Sequence, residues 1–168
     1  MCLDVQAEVA GSKGRRLMPF VDLFLGPGKS SLKENSELLV GFHVPLGSPG
    51  QGSAFRRIMR LQGIALPILN LSAWVERRQD VITRARIACG PSGPTPRRQF
   101  TAEKILGGKH LDDKLIEQAL EALLTEVTLR TSPHRSTAEY RLLQAGVLLK
   151  EALTSAWDRA GKPEGGGQ

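Results

Sequence analysis

Val81-Ile82-Thr83-Arg84-Ala85-Arg86-Ile87-Ala88-Cys89-Gly90 is the stretch that decides the fold. Val81, Thr83, Ala85, Ile87 and Cys89 recur at every second position, with Arg84 and Arg86 between them. An extended chain places the first set on one face and the cations on the other. One covered face and one wet face is the pattern of an antiparallel sheet. After the loop from Pro91 to Pro96 the apolar period changes from two to about 3.6, and everything downstream reads as helix. Thr101 to Leu106 forms a short helix that stops at Gly107-Gly108. Asp112 and Asp113 offer an N-cap and first-turn negative charge to a second, with Ile116, Ala119, Leu120, Leu123 and Val127 inward and Ser132-Pro133 as its breaker. The third begins near Ser136 or Thr137, with Glu139 available for a capping box, and turns Leu142, Ala145, Leu149, Ala152, Leu153 and Ala156 inward.

Upstream of the deciding stretch, Ala54 to Arg60 and Ile64 to Glu76 are extended, the latter with Leu69, Leu71, Ala73 and Val75 on one face. Three strands then precede three helices with no strand-helix-strand alternation. The expected class is therefore α+β, a three-stranded antiparallel sheet packed on three C-terminal helices. The first part of the chain is β-rich. Val5, Ala7 and Val9 alternate with Gln6 and Glu8, Gly11 to Gly14 turn the chain, and Arg15 to Met18 return. Val21 to Leu25 is closed by Gly26-Pro27-Gly28, and Leu38, Val40, Phe42 and Val44 give a further strand ending at Pro45. Gly47, Pro49, Gly50 and Gly52 mark a boundary. The expected organisation is a β-rich segment over 1–48, an α+β domain over 49–160, and a disordered tail over 161–168, which has no apolar residue.

Composition narrows the function classes. The 23 basic and 17 acidic residues leave a net charge of +6, a modest positive field that an acidic partner subunit or an anionic cofactor accounts for as well as nucleic acid does. Aromatic residues make up only 5 % of the chain, so stacking platforms for bases are few, which argues against a nucleic-acid partner. Cys2 and Cys89 lie far apart with no His at ligand spacing, so no metal site is encoded; Cys89 reads as a buried small hydrophobe, in keeping with a reducing compartment. Met1 to Ala10 is neither a leader nor a span, which gives a cytoplasmic location and no membrane partner as the expectation. Gly28-Lys29-Ser30 imitates a phosphate loop, but Leu23 stands where that loop needs its upstream glycine, so a plain turn is expected. No catalytic residue emerges: His43, expected half-buried on a strand, His110, and His134, in a turn, belong to different elements.

The informative cations are Arg56, Arg57 and Arg60, in Ser53-Ala54-Phe55-Arg56-Arg57-Ile58-Met59-Arg60. On an extended chain Phe55, Arg57 and Met59 share one face, and Ala54, Arg56, Ile58 and Arg60 the other. At an interdomain cleft one of them could give a charge-assisted hydrogen bond to a phosphate or to a cofactor edge. A solvated or salt-bridged strand has the same spacing.

Several of these pieces, in order, resemble one family. Val21-Asp22-Leu23-Phe24-Leu25-Gly26-Pro27-Gly28-Lys29, Glu37-Leu38-Leu39-Val40 and His43-Val44-Pro45 are similar to the end of the flavin-binding domain in the medium subunit of the molybdenum hydroxylases, the xanthine and carbon monoxide dehydrogenase family. Ser53-Ala54-Phe55-Arg56-Arg57 with Arg60, then Ala85 to Gly90 with Pro94-Thr95-Pro96-Arg97, and Arg135-Ser136-Thr137-Ala138-Glu139-Tyr140-Arg141 resemble the segments that follow there. The resemblance covers about Met1 to Trp157 and makes 1–48 the end of the FAD-binding domain. It implies an electron-transfer subunit, not catalytic alone, that helps position FAD passing electrons from iron–sulfur clusters to an acceptor, the main FAD-binding loops lying upstream of this chain. A molybdopterin-binding large subunit and a [2Fe–2S] small subunit are the implied partners. Arg57, or Arg56 if the register slips by one, falls at the family's basic position, usually Lys, and Ile64 where the family often has Asp. A truncated assembly module without FAD is an alternative, as is a small basic nucleic-acid binder using Arg56, Arg57, Arg60, Arg84 and Arg86.

Overall fold

The computed structural model describes residues 1–60 and 65–162. Ile64 and most of the expected disordered tail lie outside the described residues. Two sheets follow one another along the chain. In the first, β1 (Gln6–Gly11) pairs antiparallel with β2 (Gly14–Pro19) on one side and β5 (Glu37–His43) on the other. A 3₁₀ turn over Phe20–Leu23 and the small hairpin of β3 (Phe24–Gly26) and β4 (Lys29–Ser30) sit between them, so Gly26 to Ser30 is the plain turn that its spacing predicts. This sheet buries only Ala7, Val9 and Leu23. The alternating Leu38, Val40 and Phe42 of β5 do form a strand, but that apolar row is exposed. His43 is exposed rather than half-buried, with Nε2 2.9 Å from a Glu8 carboxylate oxygen.

The second sheet carries the main core. Strands β6 (Gln51–Met59), β7 (Pro67–Arg78) and β8 (Val81–Gly90) run antiparallel in the order β6-β7-β8. Leu69, Leu71, Ala73 and Val75 of β7 are fully buried against the helices, as the alternation predicts. The deciding stretch departs from its own pattern at one place. Pairing passes from Glu76↔Arg84 directly to Arg77↔Ile82, leaving Thr83 as an extra residue. Such a bulge turns every side chain beyond it to the other face. Ile82 is therefore buried and Val81 and Thr83 face out, while Ala85, Ile87 and Cys89 keep the predicted face.

Three helices cover that face: α1 (Phe100–Leu106), α2 (Asp113–Glu126) and α3 (Ala138–Ala160). An Asp112 oxygen accepts from the Leu115 amide at 2.7 Å, and the Thr137 hydroxyl from the Tyr140 amide at 3.1 Å. Both caps satisfy first-turn N–H groups that have no partner inside the helix. With Thr137 as the cap, Glu139 is the second helical residue, one position short of the capping box expected for it. Helix α2 ends at Glu126, well before Ser132-Pro133, and Val127 caps it. On α3, Ala145, Leu149, Ala152, Leu153 and Ala156 are fully buried as predicted, but Leu142 is exposed and Arg141 takes the inward position. The small residues let α3 ride close on β6. A Cβ added at Gly52 would stand 2.1 Å from the Ala156 carbonyl oxygen. Among the described residues no helix is long and apolar enough to cross a membrane.

Candidate functional site

The face of the second sheet turned away from the helices is built in rows by the strand register. Arg57, Asn70 and Gly90 form one row, Phe55, Ser72 and Ala88 the next, then Ser53, Trp74 and Arg86, and last Gln51, Glu76 and Arg84. Residues at the start of the chain lie across these rows. The Cys2 Sγ is 3.2 Å from the Ser72 hydroxyl and donates to the Ser72 carbonyl at 3.3 Å; Arg86 donates to the Cys2 carbonyl and pairs with Asp4 at 2.5 Å. Burial raises the Cys2 thiol above its ordinary range and pushes Cys89, on the helix side, up to about 12. Neither is a ready nucleophile.

The cations at the far end of this face are spoken for. Arg84 Nε lies 2.8 Å from Glu76, and hydrogen bonds from Arg84 and then Gln51 hold the Glu76 carboxyl down at about 2. The guanidinium of Arg86 stacks on Trp74 at 4.2 Å. Paired in this way, Arg84 and Arg86 do not form the open basic face that nucleic-acid phosphates need.

Arg56, Arg57 and Arg60 are separated by the alternation of β6. Arg56 turns toward α3, donating to the Ser155 hydroxyl at 2.6 Å and lying 3.5 Å from Glu151. Arg60, beyond the strand, donates to the Arg135 carbonyl at 3.2 Å. Arg57 stands exposed on the open face opposite Asn70. At this end a cleft of about 790 Å³ opens between the sheet, the first residues of the chain and the loop that leaves β8 through a cis Gly90–Pro91 bond. Its walls include Phe55, Asn70 and Ser72, with Arg97, Arg135 and Arg159 and no carboxylate. Phe55 is 54 % exposed, an open aromatic face beside hydrogen-bonding side chains. A lining that is mostly apolar with a few convergent polar groups suits a flat heteroaromatic ring, and an acid-free cationic wall suits an anion. No cluster of metal-ligating residues occurs among the described residues.

Residues 53–156, from β6 to the last turns of α3, match the family model of the CO dehydrogenase flavoprotein C-terminal domain. The chain belongs to this family. The chain is 29 % identical over 160 residues to the putative xanthine dehydrogenase FAD-binding subunit of Escherichia coli K12, covering 94 % of this chain and 54 % of that one. It is 31 % identical over 160 residues to the nicotine 6-hydroxylase medium subunit of Paenarthrobacter nicotinovorans, covering 95 % and 54 %. Among solved structures, the carbon monoxide dehydrogenase of Hydrogenophaga pseudoflava that lacks the Mo-pyranopterin moiety superposes with a TM-score of 0.85 at 28 % identity, over 94 % of this chain and 54 % of that one. The chain thus spans about half the length of the relatives it matches.

The quoted motifs bring Phe55, Arg97 and Arg135 to the cleft, whereas Arg57 stands on the same open face outside its lining, and the contributions of Asn70, Ser72 and Arg159 carry no motif. Asn70 and Ser72 looked like the polar side of any strand. Arg159 reaches the cleft from the end of α3, more than a hundred positions from the Ser53 carbonyl that it meets, and nothing local signals that meeting.

Proposed function

We propose that this chain is the C-terminal part of the FAD-carrying medium subunit of a molybdenum-containing hydroxylase or dehydrogenase, and that its open sheet face lines one side of the flavin site. The reading rests on one observation: on the open sheet face of the matched flavoprotein C-terminal domain lies a cleft of about 790 Å³ whose walls carry Phe55 and three arginines and no carboxylate. FAD, when bound, supplies reversible two-electron and one-electron chemistry that no side chain of this chain offers. The chain's own residues bind and orient. Phe55 gives a surface for ring stacking, Asn70 and Ser72 give directional hydrogen bonds, and Arg97, Arg135 and Arg159 supply positive potential. Of the three arginines expected at the cofactor, Arg57 is the one we assign to it, because it shares the open face with Phe55 and Asn70. Arg56 is held against α3 and Arg60 against the Arg135 carbonyl, and we assign both to supporting the sheet and the loop. The electron source in this reading is a [2Fe–2S] subunit served by a molybdopterin subunit, and the compartment is the cytoplasm.

The protein is expressed with the products of its neighbouring reading frames, and the purified material is assayed for flavin by absorbance. Flavin at one per chain supports the proposal. Arg57→Met then lowers flavin content or shifts its reduction potential, whereas Arg56→Met lowers thermal stability without moving the potential. A complex that forms and carries no flavin overturns the reading and selects the assembly-module alternative.

A further inference from the structure

The first sheet has two unlike edges. Its strand order is β2-β1-β5, so β2 and β5 each have one side without a pairing strand among the described residues. β2 carries Arg15 and Arg16 and ends at Pro19, and charges and a proline are what keep an edge unpaired. β5 has no charge between Glu37 and His43 and reads Leu38-Leu39-Val40-Gly41-Phe42. The bulge in its pairing places Leu39 and Phe42 opposite Val9 and Ala7, on the buried face, while Leu38 stands opposite Ala10 on the other. A strand with apolar side chains on both faces is one that is covered on both, inside a sheet rather than at its margin. Yet Leu38, Val40 and Phe42 are 69 %, 42 % and 52 % exposed.

A second observation lies on the same sheet. Its buried residues are Ala7, Val9 and Leu23, and three strands with so small a core do not hold a sheet together alone. Beside them an apolar groove of about 380 Å³ opens between Phe20, Leu23, Phe24, Leu32 and Leu39. The buried hydroxyl of Ser31, next to Leu32 of that lining, has no hydrogen-bond partner among the described residues, although such groups are nearly always paired. The second sheet is unlike the first in this respect, because three helices close its core.

The relatives indicate what the first sheet is joined to. The family match begins at residue 53, beyond β5. The superposition on the Hydrogenophaga pseudoflava chain nonetheless covers 94 % of this chain, first sheet included, and only 54 % of the other. There the same sheet belongs to a chain nearly twice as long. A second copy of the present chain, by contrast, would bring a second empty groove and nothing to fill it.

We infer that the free edge of β5 and the groove beside it form an assembly surface, which an extended apolar segment from the other half of a medium subunit completes. That segment continues the backbone ladder at β5 and inserts apolar side chains between Phe24 and Leu39. The inference rests on the proposed function only in placing this chain within such a subunit. It asks nothing of the flavin.

The 168-residue chain is co-expressed with the part of the Hydrogenophaga pseudoflava medium chain that lies outside the matched stretch, once as a separate polypeptide and once fused through a Gly/Ser linker. Stoichiometry is read by light scattering, amide exchange by NMR and flavin by absorbance. A one-to-one complex is expected, with exchange at amides of Glu37–His43 slowed at least about tenfold in both forms and β2 unchanged. Leu38→Lys and Phe42→Lys, at exposed positions, should each weaken the complex at least about tenfold with circular dichroism unchanged, whereas Leu143→Lys on α3 leaves it as it was. Amides of β5 that exchange as fast with the added half as without it, in both forms, overturn the inference. A dimer of this chain alone that protects them overturns it as well. A complex with β5 protected and no flavin upholds the surface and tells against the flavin reading, and flavin bound with β5 unprotected does the reverse.

Discussion

Replacing Gly52 by alanine tests the seam on which the whole arrangement rests. In an open strand a Gly→Ala change stabilises by about 0.4–1 kcal/mol, because alanine has fewer unfolded conformations to lose. At Gly52 the new Cβ would stand 2.1 Å from the Ala156 carbonyl oxygen, 2.5 Å from the Ala160 nitrogen and 3.0 Å from the Arg159 Cβ. Two of those three atoms are backbone of α3, so no side-chain rotation relieves the clash. The helix must lift by more than an ångström along an interface lined by Ala152 and Ala156, where packing is close. Overpacking of this kind costs about 3 kcal/mol, the upper part of the usual range. With a urea slope of about 2 kcal/mol/M, the midpoint falls by about 1.5 M. Gly41→Ala is the control, because nothing lies within 4 Å of a Cβ there. It should leave the midpoint unchanged or slightly higher. A Gly52→Ala midpoint within about 0.3 M of the parent, measured by far-ultraviolet circular dichroism, would show that α3 does not sit on β6 as described.

Three further outcomes follow from the same geometry. Removing the caps by Asp112→Ala or Thr137→Ala should each cost about 1 kcal/mol in the same urea assay, whereas Glu139→Gln, which makes no capping bond, should cost less than about 0.5 kcal/mol. Hydrogen bonds from Arg84 and then Gln51 hold the folded Glu76 carboxyl at about 2, below the ordinary 4.5. Its contribution to stability is therefore complete above pH 4.5 and is lost as pH falls toward 2, and Glu76→Gln should flatten thermal stability across that window. Cys89, raised to about 12, contributes below the ordinary thiol range and loses that contribution as pH rises from 9 toward 12. At pH 8, with Cys2 buried as well, a thiol reagent should label neither cysteine in the native protein and both in urea.

The fold was legible because its two periods are clean. The alternation over Leu69 to Val75 and the helical spacing over Ala145 to Ala156 report burial directly, and both survive in the structure. The failures have local causes. The bulge at Thr83 is an event in the pairing of two strands, and a single strand carries no record of its partner's register. Counting apolar residues alone turns Leu142 inward and overlooks the charged Arg141. Yet it lies in phase with Ala145, Leu149, Ala152 and Ala156, and that phase was the available signal. The candidate site was half legible. A single motif places Arg57 beside Phe55, but the cleft needs the first residues of the chain folded across the sheet and an arginine from the end of α3. Those are long-range contacts with no local pattern.

The first residues of the chain have a mechanical consequence. Met1 to Asp4 lie on the second sheet, the chain then leaves to build the first sheet, and it returns through Pro45 to Gly50. The two sheets are thus stitched together at two separate crossings rather than one. A body tethered by a single linker can swing about any axis, whereas one fastened at two points can turn only about the line that joins them. The Arg86–Asp4 pair and the Cys2–Ser72 contacts make one of those fastenings, beside the cleft itself. The first sheet is therefore held to turning about the line through those two fastenings, and none of its strand residues lines the cleft.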